Sequence, residues 1–117
     1  MGFNVIADIA GQYKSFIKLL NKMPQNEEVI SLGDLCDRGP DSERVIRWFM
    51  KNGKAILGNH EHMMIDWCRK GGYYDRDVWP WNGGDKTLDS FGRPIPEEII
   101  KWAENNPKYM EIDNCLL

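Results

Sequence analysis

The chain reads as an α/β domain built on a parallel sheet, and three features of the sequence predict it. Short apolar runs alternate with segments whose apolar residues recur at helical spacing. Each of the first three runs ends in a polar residue near a glycine: Asp8 before Gly11, then Gly33-Asp34, then Gly58-Asn59. The intervals between those polar residues, 26 from Asp8 to Asp34 and 25 from Asp34 to Asn59, each equal about one strand-helix unit.

In chain order, residues 3–7 form a mostly apolar run that predicts a buried strand. Tyr13, Phe16, Ile17 and Leu20 then share one helical face, with Lys14, Lys18 and Lys22 on the other, and Pro24 stops that helix. Residues 28–32 predict a second strand. Arg38-Gly39-Pro40 predicts a turn, and Asp41 or Ser42 a side-chain cap. The helix so capped presents Val45, Ile46 and Phe49 and ends at Gly53. Residues 54–57 predict a third strand and 60–70 a helix carrying Met63, Met64 and Trp67. Residues 71–84, rich in Gly, Trp, Tyr and Asp, read as a loop, and 85–91 as a short helix. Pro96-Glu97-Glu98 opens a helix that buries Ile99, Trp102 and Ala103 and stops at Asn105-Asn106-Pro107. Residues 108–117 read as one or two strands, the last of them core-like.

A length of 117 residues predicts a single domain over 1–117. With 42% hydrophobic and 28% charged residues the composition is ordinary for a globular chain, so long disorder is not expected. A net charge of -3 gives no generic nucleic-acid footprint, and no nucleic-acid partner is expected. No run of about 18 apolar residues occurs, so no membrane-spanning helix is expected. The N-terminus lacks the basic stretch of a secretory signal. Cys36, Cys68 and Cys115 fit neither a disulfide framework nor a C-x-x-C zinc site, and a cytoplasmic location is the expectation.

In parallel sheets, ligands lie beyond the carboxyl ends of the strands. Asp8, Asp34 and Asn59 are predicted to meet there. Two carboxylates and an amide oxygen form a hard donor set suited to Mg²⁺ or Mn²⁺, and an added imidazole extends the range to Fe or Zn. Asp34, in the middle, could bridge two ions at roughly 3.5–4 Å. Taken alone, Asp37-Arg38 would be a surface ion pair of little energetic weight. His62 is expected to be a solvated helix residue. Trp67, Trp79, Trp81 and Trp102 are expected to pack in the core and loops rather than stack bases. Cys36, between two acids, is not expected to act as a nucleophile.

Three stretches carry a resemblance: Asp8-Ile9-Ala10-Gly11, then Gly33-Asp34-Leu35-Cys36-Asp37-Arg38-Gly39-Pro40, then Gly58-Asn59-His60-Glu61. They resemble the D-x-H-G, G-D-x-x-D-R-G-P and G-N-H-E blocks of the calcineurin-like metallophosphoesterases, the second and third completely. Asn59-His60-Glu61-His62-Met63-Met64, and Trp81-Asn82-Gly83-Gly84 followed by Thr87, resemble small bacterial and phage protein-serine/threonine phosphatases and diadenosine-tetraphosphate hydrolases. The resemblance runs from Val5 to Leu117. It implies a metal-dependent hydrolysis of phosphomonoesters or phosphoanhydrides by a metal-bound hydroxide. The substrate would be a phosphorylated protein or a nucleotide-type phosphoester. Asp8 would bind the first metal, Asp34 would bridge both, and Asn59 would bind the second metal and a phosphate oxygen. His60 would protonate the leaving alkoxide and touch phosphate, Arg38 would clamp the phosphate, and Asp37 would orient His60. Mn²⁺ is the cation the resemblance implies, with Fe, Zn or Mg²⁺ as alternatives.

The chain departs from that pattern in two ways. Ala10 stands where the D-x-H-G block has a ligating histidine. The chain also reaches Leu117 about where the family's V-H-A-G block begins, which implies only the N-terminal half of the family's αββα sandwich. On that basis metal binding is expected to be weakened and activity impaired. The alternative reading is a non-catalytic relative that acts by dimerising or by binding a partner protein over an open apolar sheet face.

Overall fold

A computed structural model describes residues 2–112 and 115–117. The first half runs β1 (Phe3–Ile6), α1 (Tyr13–Lys22), β2 (Glu28–Ser31), α2 (Ser42–Asn52), β3 (Lys54–Ala55). The three strands form one parallel sheet in the order β1-β2-β3, with Ile6 level with Ser31 and Ser31 level with Ala55. That register sets the three strand ends side by side, so the loops that follow them emerge at one edge.

The ladder continues a little past the strands. The Leu32 N–H donates to the Ile6 carbonyl at 2.9 Å, and the Ile56 N–H to the Ser31 carbonyl at 2.9 Å. The third strand is shorter than the expected 54–57, because the Leu57 N–H turns away to the Pro107 carbonyl at 2.7 Å. This bond ties the chain beyond the last helix back to the strand end.

Helices α1 and α2 cover one sheet face. Phe16 packs edge-on against Trp48 at 4.9 Å between ring centres and stacks on Phe49 at 5.3 Å. Val29, Ile46 and Phe49 are buried in the same core. Side chains alternate along a strand, so Ile30 points to the opposite face. It is 0% exposed, so the centre of that face is buried. The exposed large apolar residues lie off the strands of this sheet, at Leu19 on α1, Leu32 past the end of β2, and Trp67, Tyr73, Trp81, Tyr109 and Leu116 in the second half.

The second half adds α3 (Asn59–Arg69), α4 (Asp85–Phe91) and α5 (Glu97–Glu104). Arg69 of α3 reaches both Glu97 and Glu104 of α5 at 2.6–3.1 Å. The expected loop over 71–84 is only partly a loop. Pro80–Gly84 forms a kinked turn, non-helical at Asn82 and Gly83, that runs directly into α4. Pro80 opens the turn, where its missing N–H costs nothing, and Gly83 absorbs the kink with φ +102°. The expected side-chain cap on α2 is also absent. Asp41 makes no capping bond, and the Ser42 hydroxyl is engaged elsewhere, as described below.

The C-terminal residues form a small antiparallel hairpin of β4 (Glu111–Ile112) and β5 (Cys115–Leu116), closed by Leu117 N–H donating to Met110 at 2.8 Å. Asp113 and Asn114 lie outside the described residues. The last strand is not the core strand expected: it pairs only with β4, and Leu116 is 73% exposed. Among the described residues no helix is long and apolar enough to cross a membrane.

This packing makes a contrast that can be measured. Phe49→Ala is expected to cost about 3–5 kcal/mol, since it empties a fully buried ring site. Leu116→Ala should stay within about 0.5 kcal/mol. Urea unfolding followed by circular dichroism reads both, and a large effect at Leu116 would contradict its exposed placement.

Candidate active site at the strand ends

The three strand-end loops are laced together through the main chain. The Ala10 N–H donates to the Asp34 carbonyl at 3.0 Å and the Gly11 N–H to the Leu35 carbonyl at 2.8 Å. In return the Gly39 N–H donates to the Ala10 carbonyl at 3.0 Å. Left-handed backbone is concentrated here: Asp8 (φ +53°), Ala10 (+48°), Asp34 (+57°), Asp37 (+80°) and Arg38 (+71°) all adopt it. Non-glycine residues held in this region carry strain that the surrounding structure must over-determine, a feature concentrated at functional sites. Gly33 shares the conformation at φ +101°, and a Cβ there would strike the Gly58 backbone.

Glu61 supplies much of that over-determination. Its carboxylate is 1% exposed and lies in a cage of donors. Oε1 accepts the Asp34 N–H at 2.7 Å and the Gly58 N–H at 3.2 Å. Oε2 accepts the Leu35 N–H at 2.9 Å, the Cys36 N–H at 3.2 Å and the Cys36 thiol at 3.1 Å. Burial pushes the carboxyl up from the usual range, while the bonds from Cys36 and Asp34 pull it back. Such a nest of N–H groups holds an anion without any cation nearby. Sequence reasoning gave Glu61 no role of its own. The available signal was a glutamate three residues past the helix start, the reaching-back half of a capping box.

Asp37 and His60 are brought together directly. The His60 Nδ1–H donates to Asp37 Oδ2 at 2.7 Å, the tautomer that a carboxylate acceptor requires, which leaves Nε2 free. Asp37 is 0% exposed. The Trp79 Nε1–H is shared between its two oxygens at 3.0 and 2.9 Å, and the Thr87 hydroxyl donates to Oδ1 at 2.6 Å. The Asp37 N–H in turn donates to the Ser42 and Thr87 hydroxyls at 3.1 and 2.9 Å. Asp37-Arg38 is therefore no surface ion pair, since the acid is buried and its partner is the imidazole. Trp79, Thr87 and Ser42 were not singled out as site residues, because their contacts span 5 to 50 residues of sequence.

Asp34 is half-buried, and its Oδ1 accepts the His60 main-chain N–H at 2.9 Å. Asn59 is exposed, with its Oδ1 3.3 Å from the Tyr74 hydroxyl. Asp8 is exposed and joins this edge through its loop's main-chain bonds rather than through a side-chain contact. Among the described residues, no three His, Cys, Asp or Glu side chains stand close enough together to hold a metal ion. Ala10 contributes only a methyl group, so the side chains predicted as ligands at this edge, Asp8, Asp34 and Asn59, offer oxygens. Two carboxylates and an amide suit one hard divalent cation, and they fall short of a complete two-ion centre.

Arg38 is exposed, and its guanidinium has no ion-pair partner among the described residues. His62 is not simply solvated. It is half-buried, with Nδ1 2.9 Å from the Tyr74 hydroxyl. Cys36 is buried, and both burial and the neighbouring Glu61 and Asp37 push its thiol well above the ordinary range. That thiol is a donor to Glu61 and not a nucleophile.

Two outcomes follow from these placements. Glu61→Gln sets an amide NH₂ against main-chain N–H donors. It should cost about 1–3 kcal/mol, read as a lower urea midpoint; an unchanged midpoint would remove Glu61 from its organising place. Iodoacetamide labelling at pH 8, mapped by mass spectrometry, should modify exposed Cys115 first and leave Cys36 intact in the folded protein. Burial pushes the Cys68 thiol up to about 11, so its labelling rate should rise about tenfold per pH unit up to that value.

The calcineurin-like phosphoesterase family matches this chain over residues 1–108. Serine/threonine-protein phosphatase 2 of Escherichia coli is 36% identical over 94% of the chain and 52% of its own length. The symmetrical bis(5'-nucleosyl)-tetraphosphatase of Shewanella sediminis is 27% identical over 96% of the chain and 40% of its own length. The chain thus spans about half the length of the curated relatives it matches. The crystal structure of a metallophosphoesterase from Sphaerobacter thermophilus superposes with a TM-score of 0.71 at 20% identity, covering 97% of this chain and 43% of that one. That likeness bears on the fold alone. With the family matched over nearly its whole length and the phosphatase relative alike over almost all of it, this chain belongs to the calcineurin-like phosphoesterases.

Proposed function

We propose that this chain carries the phosphate-binding and proton-transfer part of a metal-dependent phosphoester hydrolase. The observation that supports this best is the Asp37–His60 pair, a buried carboxylate 2.7 Å from an imidazole whose second nitrogen is free, set beside Asp34. Family membership supports the reaction class. Asp8, Asp34 and Asn59 would hold a divalent cation, Mn²⁺ first among the candidates. When bound, such an ion activates water and neutralises phosphate charge.

The chain's own residues account for the remaining steps. Arg38 offers a fork of N–H donors that fits two phosphate oxygens at once. Asn59 would turn its amide toward a third. His60 Nε2 would give its proton to the leaving oxygen as the P–O bond breaks, a role typically contributing about 10²–10⁴-fold. Asp37 keeps the proton on Nδ1 and stabilises the imidazolium before transfer. Phosphomonoesters and phosphoanhydrides both present such a leaving oxygen.

A second reading is favoured by one specific observation, the methyl of Ala10 in place of a ligating imidazole. In that reading the chain binds phosphorylated molecules or a partner protein without turnover, alone or as a dimer.

The test is p-nitrophenyl phosphate hydrolysis with added Mn²⁺. Activity should require the ion, vanish in Asp34→Asn, and fall about 10²–10⁴-fold in His60→Asn. Hydrolysis no greater than in Asp34→Asn would overturn the catalytic reading. A mass that rises with concentration in light scattering would then support the binding one.

A further inference from the structure

We infer that Tyr74 is a positioning residue of this site: its hydroxyl, itself oriented by His62, holds Asn59 Oδ1 and so leaves the amide Nδ2–H₂ turned to phosphate. This role rests on the phosphoester reading above, in which Asn59 meets a phosphate oxygen. Three residues of α3 set the geometry. Asn59, His62 and Asp66 are spaced by three and then four residues, so they line one side of the helix. The chain after the helix folds back over that side, and Asp66 grips its main chain. Oδ1 accepts the Tyr73 N–H at 3.0 Å, Oδ2 the Tyr74 N–H at 3.1 Å, and the Asp66 carbonyl the Gly71 N–H at 2.9 Å. From that fixed backbone the Tyr74 side chain reaches back to the first turn. Its hydroxyl ends 2.9 Å from His62 Nδ1 and 3.3 Å from Asn59 Oδ1.

The protons fix the direction of these bonds. An amide oxygen such as Asn59 Oδ1 only accepts, and the Tyr74 hydroxyl has one proton to give. Given to Asn59, that proton leaves the phenol oxygen as the acceptor for His62, so His62 Nδ1 carries a hydrogen. The three groups then form one chain: His62 Nδ1–H donates to the Tyr74 oxygen, and the Tyr74 O–H donates to Asn59 Oδ1. The imidazole is also held by packing. It is half-buried, with its ring edge-on to Tyr73 and Tyr74 at 5.2 and 5.5 Å between centres.

The consequence falls on Asn59. An exposed asparagine amide can turn over in water, exchanging its acceptor end for its donor end. His62 decides between the two. While His62 donates, the phenol proton is committed to Asn59, and an inverted amide would set its NH₂ against that proton. Oδ1 keeps a second lone pair, the one a cation would use. Nδ2 has no acceptor among the described residues, so both of its hydrogens stay available to phosphate. The same ring without its hydroxyl would pack alike and release the amide, so the role lies in one oxygen atom.

Tyr74→Phe removes that atom and keeps the loop, which Asp66 holds through main-chain N–H groups. The test is NMR on the full chain with Mg²⁺ present and inorganic phosphate as the probe. The ¹H–¹⁵N nuclear Overhauser effect of the Asn59 side-chain amide should be that of a rigid group, fall in Tyr74→Phe and stay high in Tyr73→Phe. The imidazole ¹⁵N signals of His62 should show hydrogen on Nδ1. Phosphate affinity should fall about three- to tenfold in Tyr74→Phe and at least as far in Asn59→Ala. Adding Tyr74→Phe to Asn59→Ala should then change nothing further, because the hydroxyl acts only through the amide. A merely structural tyrosine would weaken phosphate equally in both backgrounds, and circular dichroism checks that each variant keeps its fold. The positioning role is overturned, with the phosphoester reading intact, if Asn59→Ala weakens phosphate while Tyr74→Phe leaves the Asn59 amide rigid, or if the two substitutions add. Hydrogen on His62 Nε2 alone also overturns it. Failure of the phosphoester reading looks different: the Asn59 amide would still loosen in Tyr74→Phe, but phosphate would not bind or would ignore Asn59→Ala, and the role toward phosphate falls with the reading.

Discussion

The site depends on one buried anion. Glu61 enters from the first turn of α3 and collects the N–H groups of Asp34, Leu35, Cys36 and Gly58 on its two oxygens. Those groups belong to two different strand-end loops, so a single carboxylate joins the loop after β2 to the loop after β3. Without it, four main-chain donors would lose their acceptor in a dry setting, each at a cost comparable to a lost hydrogen bond. The cage also explains why Gly58 carries no side chain. A Cβ there would lie 2.6 Å from Glu61 Oε1 and 2.7 Å from Asp34 Oδ1. Asp34 holds its left-handed backbone because the carboxylate grips its N–H from behind.

A second buried anion builds on the first. Asp37 follows Asp34 by one short turn, and its carboxylate is satisfied by His60, Trp79 and Thr87. Three separate segments therefore converge on one acid, and the imidazole is only one of the three donors. This division matters for chemistry. If His60 alone partnered Asp37, each proton transfer would alter the acid's only contact. With Trp79 and Thr87 holding the carboxylate in place, the proposed proton transfer at the imidazole would run against a fixed neighbour, the kind of preorganisation that electrostatic catalysis needs.

Much of this was legible in the sequence, and unevenly so. The βαβαβ order, the strand-end loops and the helices that bury Phe16, Val45, Ile46 and Phe49 follow from local periodicity and turn residues, which the chain writes at short range. Asp8, Asp34 and Asn59 could be placed on one edge because a parallel sheet aligns strand ends. What was not legible depends on long-range partners. Nothing near Thr87 says that its hydroxyl reaches Asp37, 50 residues away. The 80–84 segment read as a loop because Gly and Asn disfavour regular helix, and Asn82 and Gly83 are indeed non-helical; what was not legible is the bond from the Arg38 N–H to the Gly83 carbonyl that holds the kink. Trp79 and Trp81 look alike in sequence, and only the turn's rotation separates a buried ring from an exposed one. The last strand read as core from its apolar residues, yet two paired residues in a lone hairpin bury little.

Ala10 shows how scaffold and chemistry are separable here. The loop after β1 is held by the Ala10 N–H on the Asp34 carbonyl and by the Ala10 carbonyl receiving the Gly39 N–H. Both are main-chain bonds, indifferent to the side chain. The strand-end geometry can therefore persist whatever residue stands at position 10, even though alanine at φ +48° bears a left-handed strain of roughly 1–2 kcal/mol. The loop's shape is thus set by lacing and by the Glu61 cage, while metal affinity is set by which side chains that shape presents. The acid-imidazole pair is likewise independent of position 10, because Asp37 takes its contacts from His60, Trp79 and Thr87.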